Sequence, residues 1–343
     1  MVTIKDIAKA VGVSPTTVSN VIRGNVGRVS PEKIDKINLA IQEMRYAPNL
    51  SARALVSSSS HIVGVISHLV PLEFGGIFQD PFYGALLAGM EQTLRERGYY
   101  MMIRGIDSVP GLQGLLYNWN LDGLILTGIF PSAFIDGLQQ QSTPFVLVDS
   151  YVRDEVPQIR LEDRRGGYIA TRHLLEMGHR HILFCSQPIR DRGVIRERFE
   201  GYREALAEYG LTPKHEDVYA RELSIDQSVA LGRELAARHD FTALVATADV
   251  LAAGILSGLS ACGRRVPEDV SVVGFDDLNI ARLTSPQLTT VHQDVALRGS
   301  RAADMLLARI EHPETAPNRL TMPIRLIQRQ SVARLQADTA VFL

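Results

Sequence analysis

From residue 61 onward, short apolar runs with β-strand character alternate with amphipathic helical stretches, and this alternation restricts the fold more than any other feature. The runs 62–67, 99–104, 123–127, 145–149, 181–186, 244–247 and 270–275 read as strands, and 81–97, 166–177, 197–209 and 248–262 read as helices between them. Strands that alternate with helices form parallel sheets covered on both faces, which is an α/β architecture. About 280 residues exceed what one small core holds, so two doubly wound parallel-sheet lobes are predicted. In such folds ligands sit outside the carboxyl ends of the strands, here in a cleft between lobes.

The first 60 residues have a different pattern. Thr3 with Asp6 forms a capping box, so a helix starts at Ile4 and places Ile4, Ile7, Ala8 and Val11 on one face. Gly12 permits a tight turn. Ser14 as N-cap and Pro15 as first helical residue then start a second helix through Val18, Val21 and Ile22. Ser30-Pro31 starts a third, whose Ile34, Ile37, Ile41 and Met44 complete a three-helix core. Two short helices joined by a Gly-containing turn are the helix-turn-helix signature, with the second helix as groove reader. An all-α DNA-binding headpiece therefore precedes the α/β body. Charge agrees: residues 1–60 carry eight bases against four acids, a net of +4, so with −2 overall residues 61–343 carry −6. A basic head on an acidic body points to nucleic acid as the head's partner.

Beyond these patterns, Thr3-Ile-Lys-Asp-Ile-Ala, Val13-Ser-x-x-Thr-Val-Ser19, Tyr46-x-Pro-Asn49 and Ala54-Leu55 in the head resemble the LacI/GalR family of bacterial transcription regulators. The resemblance continues through Asp80-Pro-Phe-Tyr83, Leu121-Asp-Gly-Leu-Ile125, Gly178-His-Arg-His-Ile182, Glu200-Gly-Tyr202, Val270-Ser-Val-Val-Gly-Phe-Asp-Asp277 and Pro286-Gln-Leu-Thr-Thr290. The resemblance implies a headpiece over 1–60 with a hinge helix at 49–56, and an effector-binding and dimerisation core over 61–343. It implies a periplasmic-binding-protein-like core crossed near Arg160, Val291 and Arg319. The N-lobe is then about 61–160 with 292–320, and the C-lobe about 161–291 with 321–332.

Roles follow position by position. The resemblance implies base-edge contacts from Pro15, Thr16 and Asn20, and phosphate contacts from Thr3, Ser14, Thr17 and Ser30. Pro15 offers only apolar contact, whereas Asn20 suits a two-bond contact to adenine. Arg23 stands where an Asn is common and extends a charged phosphate contact. In the hinge, Asn49, Ala52 and Leu55 are implied to order only on the operator, beside the hinge of a second copy. Eight residues are too few for a stable isolated helix. Leu55 reads as a minor-groove wedge rather than a core leucine, and 57–60, four serines, as a tether. The implied effector positions are Phe82, Tyr83, Asp149, Arg192, Arg198, Leu223, Asp249 and Asp276. An arginine fork with acceptor carboxylates suits vicinal hydroxyls, so the expected effector is a sugar or sugar derivative.

Several positions depart from the family pattern. Ala248 replaces a usual Asn, and Leu223 replaces an aromatic that often closes over the ligand. The loop 70–79 is longer than usual and adds Phe74 and Phe78, while 107–120 leaves room for only two or three helical turns. Arg192, Arg196 and Arg198 form a cationic run that suits either solvent or a phosphorylated or carboxylated effector.

Other function classes find no motif. There is no P-loop, no nucleotide-type glycine motif and no metal-ligand spacing, so neither an enzyme nor a cofactor is expected. Gly258-Leu-Ser-Ala-Cys262 approaches a nucleophile elbow but lies in a helical pattern. The chain opens into a capped helix, so no signal peptide is expected, and it has no membrane-length apolar run. Cys185 and Cys262 suit buried thiols in a reduced cytoplasm. The expected protein is a cytoplasmic, homodimeric repressor whose partners are double-stranded operator DNA and a small effector, with no membrane partner. Control by a protein corepressor and a sugar receptor that does not bind DNA are the alternatives. The tail 331–343 lacks a leucine heptad, so no tetramer bundle is expected.

Overall fold

The computed structural model describes residues 2–22, 24–27, 29–46, 59–68, 78–106, 108–128, 135–138, 143–152, 155–221, 224–314, 316 and 318–335. The chain forms two compact units, Met1–Ser60 and His61–Leu343.

In the first unit, α1 (Ile4–Val11) begins at a complete capping box. The Thr3 and Asp6 side chains each accept from the other's backbone N–H, at 3.3 and 2.8 Å. Gly12 ends the helix at φ +72°, a left-handed conformation that glycine adopts without Cβ strain. Helix α2 (Pro15–Ile22) follows, with Ser14 Oγ accepting from Thr17 N–H at 3.1 Å as its cap. Helix α3 (Pro31–Glu43) starts on Ser30 in extended conformation, but the Ser30 side chain makes no capping hydrogen bond. Ile7, Ala8, Val18, Val21 and Ile37 are buried where the three helices meet, with Ile4, Val11, Ile22, Ile34, Ile41 and Met44 packed around them.

The second unit contains two six-stranded sheets. The first has β2 (Tyr100–Ile106), β1 (Ile62–His68), β3 (Gly123–Thr127), β4 (Phe145–Val148), β5 (Gln158–Leu161) and β11 (Arg319–Met322) in that order, all parallel. The second has β7 (Val218–Ala220), β6 (Ile182–Ser186), β8 (Ala243–Ala246), β9 (Ser271–Asp276), β10 (Thr289–His292) and β12 (Arg325–Ile327), parallel except for β12 against β10. Strands β3, β4, β6, β8 and β9 are buried along their whole length. Parallel strands covered on both faces have this property. The expectation of two doubly wound lobes behind a helical headpiece therefore holds.

The chain passes from the first sheet to the second after β5, returns after β10, and crosses a third time between β11 and β12. That last passage lies at Pro323–Ile324, beyond Arg319, because 319–322 adds an edge strand to the first sheet. Strands β5, β7, β10, β11 and β12 were absent from the sequence-derived strand runs; each has only three or four residues, too short for a period-two pattern to show.

Three helix pairs cover the sheets through glycines that bring backbone against backbone. In the N-lobe, α4 (Pro81–Glu96) meets α11 (Val295–Glu311), where a Cβ on Gly89 would lie 1.9 Å from the Ala296 carbonyl oxygen. In the C-lobe, α6 (Asp163–Glu176) meets α7 (Val194–Glu208), where a Cβ on Gly167 would lie 1.9 Å from the Arg198 oxygen. Helices α8 (Ile225–Ala236) and α9 (Asp249–Ala261) pack likewise through Gly232 and Gly258. Gly258 of the near-elbow motif is thus a helix-packing residue, as its helical pattern implied. A shorter helix, α5 (Val109–Asn118), connects β2 to β3, and α10 (Asn279–Leu283) follows β9.

Cys185 is buried in β6, but Cys262 is exposed, contrary to expectation, because it caps α9 beyond the last buried turn. His179 is buried between helix and strand, its ring nitrogens 2.9 Å from Thr242 Oγ1 and 3.1 Å from the Ala333 oxygen. Among the described residues no helix is long and apolar enough to cross a membrane.

Candidate functional site

Polar side chains collect where the parallel strands of both lobes end. Arg198, in the second turn of α7, is 5 % exposed. Its Nε donates to Asp163 Oδ1 at 2.7 Å, its Nη1 donates to the Thr247 carbonyl at 2.6 Å, and Asp276 Oδ1 lies 4.0 Å from Nη1. The guanidinium lies over the Phe275 ring, 3.4 Å from its centroid, a favourable cation–π placement for a desolvated arginine. Asp163 also accepts from the Tyr151 hydroxyl, so this arginine is tied to the first crossover.

Two strand ends turn through left-handed backbone. Asp149 follows β4 at φ +61°, and Asp276 ends β9 at φ +111°. Aspartate tolerates positive φ better than most residues, yet it is strained there, and such strain concentrates at functional sites. Asp276 Oδ1 accepts from Gln293 Nε2. Burial pushes the Asp276 carboxyl from 3.8 up to about 7, against the opposing pull of Arg198. Burial likewise raises Asp149, although Arg298 opposes it.

Because Asp276 keeps its proton when folded at pH values where the unfolded chain has lost it, ionisation opposes folding. Its contribution to stability is largest near pH 4 and is lost as the pH rises through about 7. The expected result is that the unfolding midpoint of the wild type falls, relative to Asp276→Asn, as the pH goes from about 5 to about 8. Parallel midpoint curves for the two proteins would contradict this assignment.

Phe82 and Tyr83 lie in the first turn of α4, where Asp80 caps the helix by accepting from Phe82 N–H at 2.9 Å. Their rings meet edge-to-face with centroids 5.5 Å apart. The Arg298 guanidinium stands 5.1 Å from the Phe82 ring centroid and pairs with Asp149. Asp276 senses the charges of both Asp80 and Arg298, and Asp149 senses Asp163 and Arg198. Groups from the two lobes thus share one electrostatic field.

Asp249 has a different setting from that expected of a ligand contact. It is fully buried, with Oδ2 accepting from Leu278 N–H at 2.8 Å and Oδ1 from Thr290 Oγ1 at 2.6 Å. Gly274 leaves the space for this carboxyl, since a Cβ there would lie 2.5 Å from Oδ1. Both oxygens are used inside the lobe, so Asp249 braces the strand ends beneath the site. Arg192 is half-buried in the loop before α7. Arg196 is ion-paired with Glu200 at 3.0 Å, so the cationic run does not present three free charges. Leu223 and Phe74 lie outside the described residues, while Phe78 is 74 % exposed.

Arg298, Asp163, Gln293 and Tyr151 are the participants that sequence reasoning missed. Arg298 and Gln293 flank Asp294, the N-cap of α11, so the signal was a strand end followed by a capped helix. A cavity of about 570 Å³ adjoins the crossover on another side, lined by Tyr151, Leu161, Asp163 and residues of α6 and α7. Its rim is already paired, with Arg164 to Glu204 and Tyr168 to Glu208 both at 2.9 Å.

In the headpiece, Thr3, Ser14, Pro15, Thr16 and Ser30 are exposed, and Thr17 and Asn20 are half-buried. The Thr3 hydroxyl donates to Asp6 Oδ2 at 2.7 Å, and the Ser14 and Thr17 hydroxyls lie 2.9 Å apart. Arg23, Asn49, Ala52, Leu55 and the whole hinge 49–56 lie outside the described residues.

Comparison with known proteins matches this architecture. Residues 3–49 match the family described as bacterial regulatory proteins, lacI family, and residues 171–332 match the periplasmic binding protein-like domain. The HTH-type transcriptional regulator CelR of Thermobifida fusca is 33 % identical over 96 % of this chain and 98 % of its own length. A solved transcriptional regulator CelR–cellobiose complex is 32 % identical over 96 % of this chain and all of that one, with a TM-score of 0.72. The Lac repressor dimer bound to operator and the anti-inducer ONPF shares the fold at a TM-score of 0.84 and 23 % identity, over 97 % of this chain and 99 % of that one. A helix-turn-helix head, a two-lobed body and this full-length identity together make the chain a DNA-binding transcriptional regulator, not an enzyme, and a member of the lacI family of bacterial regulatory proteins.

Proposed function

We propose that this regulator is a cytoplasmic repressor that binds a near-palindromic operator as a homodimer, and that a carbohydrate held between its lobes controls the binding. The observation that supports this reading is the group formed by Arg198, Asp163, Asp276 and Asp149, in which charges from both lobes face one another at strand ends. A fork of donors beside acceptor carboxylates matches hydroxyl groups, which both donate and accept. Phe82 and Tyr83 supply the aromatic face that a sugar ring stacks on. The binding of cellobiose by a relative 32 % identical supports the same ligand class.

On DNA, Pro15, Thr16 and Asn20 read base edges, while Thr3, Ser14, Thr17, Arg23 and Ser30 hold phosphates; Asn49, Ala52 and Leu55 act in the minor groove. An effector controls this only by binding one state of the protein more tightly than the other. The test is the unfolding midpoint of the full chain with cellobiose and related sugars, since a ligand of the folded state raises it. A midpoint raised by one of them in the wild type, and by none in Arg198→Ala, supports the cleft as the site. An equal rise in both proteins contradicts it.

Ser14 separates stability from recognition. Ser14→Ala removes the α2 cap and is expected to destabilise the headpiece by about 1 kcal/mol. Ser14→Asp keeps a capping acceptor but faces phosphate with a negative charge, so it is expected to retain the headpiece melting temperature and lose operator affinity at least about tenfold. Ser14→Asp that binds operator like the wild type would remove Ser14 from the phosphate-contacting set.

A further inference from the structure

Arg298 lies in the first turn of α11, four residues past the N-cap Asp294, and is 1 % exposed. Its Nη1 donates to Asp149 Oδ1 at 3.2 Å, and Nη2 lies 3.1 Å from Oδ2. Its Nε–H and the hydrogens on Nη2 meet no acceptor in hydrogen-bonding geometry among the described residues. The side-chain carbonyl oxygen of Gln293 is also buried and has no donor among the described residues, although the same amide donates to Asp276. Buried groups left unmatched are costly and uncommon. Here a donor and an acceptor are both unmatched, on residues that pair with the two carboxylates at the strand ends.

The charge around them is not that of an anion site. Asp149 offsets Arg298, and Asp163 offsets Arg198. Asp80 also lies in this field, burial shifts Asp249 and Asp276 toward their protonated forms, and Arg196 is compensated by Glu200. A phosphate or carboxylate entering here would meet no uncompensated arginine among these groups.

We infer that Arg298 is a specificity-determining residue of the cleft, donating from Nε to an uncharged oxygen of a polyhydroxylated effector and admitting neutral carbohydrate while phosphorylated and carboxylated sugars are excluded. This rests on the cleft reading given above and deepens it. A leucine or methionine at this place would offer only apolar contact. Arg298, held by Asp149, demands an acceptor at a set position, and a polar demand of this kind discriminates more sharply than apolar fit.

The test measures the unfolding midpoint of the full chain with cellobiose and glucose as neutral probes, and with glucose 6-phosphate and gluconate as anionic ones. At least one neutral probe is expected to raise the midpoint, and neither anionic probe is. An anionic probe that acts as strongly, or silence from both neutral ones, overturns the assignment. For the responding sugar, Arg298→Met is expected to weaken binding at least about tenfold. The double variant Asp149→Asn with Arg298→Met removes both buried charges together, and it is expected to weaken binding at least as much, without an unpaired carboxylate. Wild-type affinity in both variants overturns the role of Arg298. If Arg198→Ala still abolishes the response in that case, the cleft reading stands alone; if Arg198→Ala also responds normally, both readings fall.

Discussion

Arg198→Ala is expected to abolish the response to a cleft ligand and to destabilise the His61–Leu343 unit by about 3–5 kcal/mol, the usual cost of removing one partner from a buried ion pair. Three interactions end together: the bond to Asp163, the bond to the Thr247 carbonyl and the packing on Phe275. Asp163 and Asp276 are left in low dielectric without their main cation. Arg198→Lys separates charge from geometry, because a lysine keeps one positive charge but loses the planar fork. It is expected to recover part of the stability and little of the ligand response. Urea unfolding, with and without sugar, reads both quantities. If Arg198→Ala were as stable as the wild type, the ion-pair group would not have the energetic weight given to it here.

Gly167→Ala is expected to have an effect of similar size without touching a charged group. Its methyl would lie 1.9 Å from the Arg198 carbonyl oxygen and 2.7 Å from the carbonyl carbon, both backbone atoms on the facing helix. Helices α6 and α7 would have to separate. Overpacking a core commonly costs about 1–3 kcal/mol, and a backbone obstacle places this case at or above the upper end. Because α7 carries Arg198 and α6 begins at Asp163, the separation also pulls apart the first ion pair of the site. A weaker ligand response is therefore expected together with the lost stability. Gly84→Ala is the control: it lies within α4 with no atom closer than 4 Å to its added methyl. Relief of chain entropy there should leave stability unchanged or raised by up to about 1 kcal/mol. Equal losses at the two glycines would show that helix propensity, not helix contact, sets the effect.

Much of this architecture is legible in the residues because local and tertiary signals agree. Thr3 with Asp6, Ser14 with Pro15, and the apolar spacing of Ile7, Val18 and Ile37 each specify a helix boundary or a buried face directly. The strands β3, β4, β6 and β9 are legible for the same reason, since burial on both faces requires unbroken apolar runs. The crossover strands are not. Gln158–Leu161 and Arg319–Met322 are short and partly polar, and they become strands only because neighbouring strands offer unpaired backbone.

The site divides in the same way. Asp149, Arg198 and Asp276 follow recognisable strands or motifs, and family resemblance picks them out. Asp249 was equally conspicuous at the end of β8, yet its carboxyl turns inward to Leu278 and Thr290, a choice made by Gly274 on a strand 25 residues away. Arg298 was inconspicuous because an arginine in a helical pattern reads as solvent-exposed. Only the meeting of α11 with Asp149 and Phe82 shows it buried. Pairing between distant segments is what a single sequence carries least clearly.

Occupancy of the cleft is expected to change operator affinity. The deciding measurement titrates the full chain against a duplex enriched from random DNA by the protein itself, with and without the neutral sugar that raises its unfolding midpoint. The expected result is a change in operator affinity of at least about tenfold in the wild type, equivalent to roughly 1.4 kcal/mol of coupling, and none in an Arg198→Ala protein that still binds the duplex. Affinity that stays the same while the sugar is demonstrably bound, or an Arg198→Ala protein that responds as the wild type does, would contradict the account.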